Sequence, residues 1–190
     1  MVRNYTILFI VIILYGCDLL TTRDPEKPES PRSTFVSATT PELLFNNLKD
    51  SFKEKIVENY MACFVDEALS DKKFSFVPSA GSSAQYTILN DWSLSSERQY
   101  FLNLRSQVSA KVPIVLDLQN MIANIQSDSA VYQFDYLLSV YINSEVRSYQ
   151  GNVQFNIILD SRNFWVVRGW EDIKKQNLSS WSELKGAFHP

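Results

Sequence analysis

Val131-Tyr132-Gln133-Phe134-Asp135-Tyr136-Leu137-Leu138-Ser139-Val140-Tyr141-Ile142 decides how the rest of the chain is read. Successive side chains of a strand point to opposite faces. Tyr132, Phe134, Tyr136, Leu138, Val140 and Ile142 therefore share one apolar face, and Gln133, Asp135, Ser139 and Tyr141 share the other. That alternation belongs to a strand with one face on a core and one toward water. The apolar face needs a cover, and the flanking sequence supplies both neighbouring strands and helices.

On the N-terminal side, Gln126-Ser127-Asp128-Ser129 is a turn, and Ile114 to Gln126 is the strand that leads into it. On the C-terminal side, Tyr149 to Leu159 is a third strand, Asp160-Ser161-Arg162-Asn163 a turn, and Phe164 to Trp170 a fourth strand rich in Val, Trp and Phe. Consecutive strands joined by short turns predict an antiparallel meander. Strands this long must twist and curl. By spacing, Trp165 and Trp170 fall on opposite faces, one in the core and one free to line a patch; Arg168 covers aromatic surface.

Helices precede the meander. Thr39-Thr40-Pro41-Glu42 is a helix start with a threonine cap, an early proline and a glutamate three residues on. Leu44, Leu48, Phe52, Ile56, Tyr60 and Phe64 recur every fourth residue, one apolar face of a helix or of two joined helices. Phe74-Ser75-Phe76-Val77-Pro78 alternates and stops at proline, as a short strand does. Ser79 to Ser83 reads as a small-residue loop. Trp92-Ser93-Leu94 opens a further helix with Leu94, Phe101, Leu104 and Val108 on one side; Glu97 lies early in it, where a carboxylate favours the helix dipole. Ser180-Trp181-Ser182-Glu183 is a capping box for a short last helix.

Helices segregated over one antiparallel sheet make an α+β fold. The element order, Trp92 with Glu97, and the closing Phe164-Trp165-Val166-Val167-Arg168-Gly169-Trp170-Glu171-Asp172 resemble the nuclear transport factor 2-like superfamily. Trp181, Leu184, Lys185 and Gly186 resemble the tail of lipoproteins that carry such domains. The resemblance spans roughly residues 40–188 and implies a cone-like, strongly curved antiparallel sheet wrapped on N-terminal helices. That superfamily holds enzymes, transport adaptors and domains without a described role, so fold does not settle function.

The first residues concern location. Arg3 is the sole charge before Asp18, and Ile7 to Leu14 is wholly apolar. The apolar run of about eleven residues reaches roughly 16 Å as a helix, too short for a bilayer core of about 30 Å. A basic start and a short apolar run make a secretory leader. Leu14-Tyr15-Gly16-Cys17 resembles the lipobox of bacterial lipoproteins. The resemblance implies a diacylglyceryl group on the Cys17 thiol, cleavage between Gly16 and Cys17, and acylation of the new amine. The expected organisation is a leader over residues 1–16, a lipidated cysteine with a Pro- and charge-rich tether over 17–38, and one domain over 39–190. The expected address is the bacterial cell envelope. Asp18 after the cysteine bears on sorting between inner and outer membrane, which stays open because lineages differ.

Composition narrows the chemistry. The chain has 190 residues, 45% hydrophobic and 13% aromatic, with a formal charge of −3, which suits a globular domain with a real core. Its basic residues are scattered, with no stripe for a phosphate backbone, so nucleic acid is not an expected partner. With Cys17 lipidated, Cys63 stands alone in the apolar stretch Tyr60-Met61-Ala62-Cys63-Phe64, as a buried small hydrophobe. The single histidine, His189, is next to the end of the chain. Histidine-based catalysis and histidine metal sites are therefore not expected, and no cofactor is implied. The one catalytic candidate is Asp135: an inward orientation would raise its pKa beside a tyrosine, while the alternation favours an outward one.

The reading that follows is a lipid-anchored, non-catalytic envelope domain that binds a protein partner or a hydrophobic ligand at the mouth or open face of its sheet. The alternative is a small-molecule isomerase, dehydratase or hydrolase with a pocket inside the cone, lined by a buried ionisable group. A third reading, dimerisation through the outer sheet face, requires a broad exposed apolar patch there. The oligomeric state itself stays open.

Overall fold

The computed structural model describes residues 33–189 apart from residue 176; the leader, Gly16, Cys17 and most of the tether lie outside the described residues. Four long strands form the expected antiparallel meander: β2 (Val115–Ile125), β3 (Ser129–Ile142), β4 (Glu145–Leu159) and β5 (Trp165–Lys174). The short strand β1 (Ser75–Val77) lies parallel on β5, which gives one five-stranded sheet in the order β1-β5-β4-β3-β2. The fold is α+β, a curved open sheet closed on one face by helices. In β3 the expected apolar set, Tyr132 to Ile142 by twos, is buried against them.

Local chemistry sets the helix ends. Helix α1 (Pro41–Glu54) is capped by Thr40, whose Oγ1 accepts the Leu43 N–H at 3.3 Å, with Pro41 in the first turn. It stops at Lys55, which takes a left-handed conformation (φ 58°). Helix α2 (Val57–Met61) follows, so the apolar stripe from Leu44 to Phe64 belongs to two joined helices. Lys55 Nζ then donates to the carbonyls of Ser109 (2.8 Å) and Val112 (2.8 Å), tying this break to the loop before β2. A one-turn helix α3 (Ser82–Gln85) replaces the end of the expected small-residue loop, followed by a 3-10 turn (Thr87–Asp91). Helices α4 (Leu94–Gln107) and α5 (Trp181–Phe188) carry serine caps, and the predicted box between Ser180 and Glu183 is formed in both directions.

Three features depart from the alternation pattern. First, β4 begins earlier than expected, at Glu145, because Asn143 (φ 52°) and Ser144 (φ 68°) close a tight hairpin with two left-handed residues. Second, β5 carries an extra residue at Arg168: Ile157 pairs with Val167 while Asn156 pairs with Gly169. This bulge resets the parity of the strand, so Trp165 and Trp170 both join the core instead of facing apart. Third, β2 bulges between Gln119 and Ile122, with Asn120 left-handed (φ 51°).

The segment Ser33–Ala38, read from sequence as the end of a tether, lies on the domain. Asn47 on α1 accepts the Val36 N–H at 3.2 Å and donates to the Val36 carbonyl at 2.6 Å. The Trp165 N–H donates to the Ala38 carbonyl at 2.8 Å. A buried asparagine that satisfies both backbone groups of one residue pins an otherwise extended strap.

Candidate functional site

The domain has a polar centre inside the cone and a groove at its mouth. The centre is built by α2, α4, α5, β1, β3 and β5. Glu97 on α4, Lys185 on α5 and Asp172 on β5 are all buried, with Glu97 and Lys185 at 0% exposure. Lys185 Nζ donates to Glu97 in a buried ion pair. Glu97 also accepts the Trp92 Nε1–H at 2.7 Å and the Tyr60 hydroxyl. Both of its oxygens are thus occupied.

Asp172 accepts the Tyr136 hydroxyl at 2.7 Å, and the Ser182 N–H at 2.7 Å together with the Ser182 hydroxyl. The Tyr136 oxygen in turn accepts the Trp181 N–H at 2.7 Å. Asp172 therefore holds the first turn of α5, where a carboxylate suits the helix dipole.

Protonation follows burial. The Tyr60, Tyr100 and Tyr136 hydroxyls are pushed well up, first by burial and then by the carboxylates beside them: Glu97 for the first two and Asp172 for the third. Burial pushes the Lys185 ammonium down to about 8, against the pull of Glu97. Burial likewise pushes the Cys63 thiol up, which agrees with its reading as an inert core residue. The ammonium of Lys185 faces aromatic rings on several sides: Trp170 at 3.8 Å, Phe76 at 4.5 Å, and Trp92 and Tyr100 at 5.2 Å from their centroids. Trp181, Phe52, Tyr60 and Phe101 pack around this centre. Glu97 and Asp172 each accept three donors, which ties α2, α4, α5, β3 and β5 together at this centre.

The second place is the mouth. A groove of about 360 Å³ runs between α1 and strands β2 and β3, lined by Phe45, Leu118, Met121, Tyr132 and Phe134, with Glu42, Asn46 and Lys49 at its edge. Met121, in the β2 bulge, lines this groove at 62% exposure, whereas Ile122, 66% exposed and paired with Gln133, lies on the other face of the sheet beside Asp135.

Asp135 lies on the outer face of β3, away from the helices. It accepts Asn120 Nδ2 at 2.6 Å, Lys175 Nζ at 3.0 Å and the Asn152 amide. The Asn120 hydrogen bond, then that of Lys175, holds its carboxyl below the usual range. The inward orientation that would have given it a raised pKa is not adopted. The outer face around it mixes amides, with Gln133 donating to Gln154 at 2.9 Å, and exposed apolar side chains, Ile122, Leu137 and Ile173. His189, at the C-terminal cap of α5, packs its ring 5.2 Å from Trp92, edge-on. No group of His, Cys, Asp or Glu that could hold a metal occurs among the described residues, and no described helix is long and apolar enough to cross a membrane.

Sequence reasoning placed Glu97 as an ordinary first-turn charge and gave Lys185 no chemical role. A signal was present. Glu97 shares its side of α4 with Phe101 and Leu104, and Lys185 shares its side of α5 with Trp181, Leu184 and Phe188. A lone charge on the apolar stripe of each of two helices, with opposite signs, marks a buried pair.

No protein-family model matches the sequence, and no curated protein matches it. Solved structures do match. One assigned as an aromatic ring hydroxylase from Novosphingobium aromaticivorans has a TM-score of 0.55 at 12% identity, over 76% of this chain and 92% of that one. One assigned as a dehydratase of the nuclear transport factor 2-like family from Streptomyces avermitilis has a TM-score of 0.54 at 7% identity, over 70% and 92%. One assigned as a scytalone dehydratase from Novosphingobium aromaticivorans has a TM-score of 0.53 at 9% identity, over 74% and 89%. At such identities the likeness is one of fold. The curved sheet, the parallel β1 on its edge and the helices in its hollow give this chain the nuclear transport factor 2-like fold.

Proposed function

We propose that this protein is a lipid-anchored component of a bacterial cell envelope, and that its domain is a non-catalytic binding module that takes an apolar ligand or partner segment at the mouth of the cone. The observation that carries the binding part is a division of labour. The ionisable groups of the cone interior are buried and hydrogen-bonded to one another, while the exposed apolar side chain of Met121 lines the groove of Phe45, Leu118, Tyr132 and Phe134. Binding sites for apolar ligands are concave, mostly apolar and edged by a few polar groups, as this groove is with Glu42, Asn46 and Lys49. Glu97 and Asp172, the carboxylates of the interior, are buried, and each accepts three hydrogen bonds from the protein itself. The anchor rests on the basic start, the short apolar run and Leu14-Tyr15-Gly16-Cys17.

Two measurements test the two halves. Cells fed a labelled fatty acid incorporate it into the native chain and not into Cys17→Ser; label in the substituted chain ends the anchor assignment. The full chain binds an environment-sensitive apolar fluorophore, and Met121→Asp weakens that binding by about tenfold, the effect of placing a charge in an apolar contact. Equal binding by both chains removes the mouth from the account.

A further inference from the structure

We propose that the interior of the cone is an alkylammonium-binding site whose occupant is the chain's own Lys185. The site and its occupant come from different parts of the molecule. The walls are Phe76 on β1, Trp92 before α4, Tyr100 on α4 and Trp170 on β5, each with its ring within 3.8–5.2 Å of Lys185 Nζ. The counter-charge is Glu97 on α4, oriented by Tyr60 from α2 and by the Trp92 indole. None of these groups belongs to α5, which contributes only the cation. An aromatic enclosure with one carboxylate is the arrangement by which proteins recognise ammonium ligands.

One further point separates this from ordinary core packing. A buried ion pair seldom stabilises a fold better than apolar side chains of the same size, so its presence reads more naturally as recognition than as stability. Helix α5 is in this sense a plug: its first turn is held by Asp172 and Tyr136, and its lysine fills the enclosure. The ligand class is a primary alkylammonium of the length of a lysine side chain. The proposal is independent of the groove at the mouth.

Chemical rescue tests it. Lys185→Ala keeps Cβ and removes the atoms that n-propylammonium replaces. In the full chain carrying Lys185→Ala, millimolar n-propylammonium raises the unfolding midpoint by a few degrees, as any ligand specific for the native state does, and n-propanol at the same concentration does not. Adding Glu97→Gln to that chain abolishes the response. Equal effects of amine and alcohol, or a response that survives Glu97→Gln, overturns the proposal. If Lys185→Ala folds poorly, the refolded yield with amine against alcohol reads the same comparison. The unaltered chain offers a second reading: enclosure by four rings shifts the Lys185 Cε protons far upfield of those of other lysines, and their appearance at the ordinary position contradicts the cage.

Discussion

The Lys185 ammonium lies 3.8 Å from the centroid of the Trp170 ring and is ion-paired with Glu97, a residue 88 positions earlier in the chain. With both partners at 0% exposure, the pair is coupled far more tightly than any surface pair. Removing one partner strands the other. Lys185→Met or Glu97→Gln alone is expected to cost about 3–5 kcal/mol in urea unfolding, whereas the double replacement costs less than either. A double-mutant cycle with no coupling energy contradicts this.

Helix α5 is seated so closely that it has no room for a methyl group at Gly186. A Cβ there would lie 2.2 Å from Tyr86 Cγ. Gly186→Ala is expected to destabilise by about 1–3 kcal/mol through overpacking, in spite of the better helix propensity of alanine. Replacing Tyr86 by serine in the same chain recovers part of the loss, measured by thermal unfolding. Full destabilisation with the serine present would show that the helix is held off by something else.

The turn between β4 and β5 carries a pH signature. Burial alone would raise the Asp160 carboxyl, but Arg162, together with the Phe164 and Arg162 backbone N–H groups, holds it below its ordinary value. A carboxyl with a depressed folded pKa contributes stability that is present above its unfolded value of about 3.9 and lost as pH falls through the folded pKa. Asp160→Asn is therefore expected to cost about 1–2 kcal/mol from pH 5 to 7, the worth of its charge-assisted hydrogen bonds. The gap between the two proteins closes as the pH falls below about 4. A gap that stays constant down to pH 2 shows that the charge of Asp160 contributes nothing.

The sheet was legible because β3 follows strict alternation, and because its turns use residues with turn chemistry. Tyr132 to Ile142 by twos are buried and Asp135 faces outward, as periodicity requires. The caps at Thr40 and Ser180 were legible for the same local reason. What escaped was set by contacts distant in sequence or by a break in period. Trp165 and Trp170 share the core only because one extra residue at Arg168 resets the strand. The strap at Val36 looks like a tether until Asn47 on α1 is placed beside it. Glu97 and Lys185 each pass for a helix-surface charge, and only the packing of α4 against α5 makes them a pair.

Helix α5 closes the interior of the cone, with Lys185 at 0% exposure. Brief acylation of the native full chain with an amine-reactive ester, resolved residue by residue by mass spectrometry, measures this directly. Lys53, Lys72 and Lys111, all exposed, are expected to be modified while Lys185 stays untouched until the chain is unfolded. Modification of Lys185 at the rate of the exposed lysines would contradict the sealed cone, and with it the placement of function at the mouth.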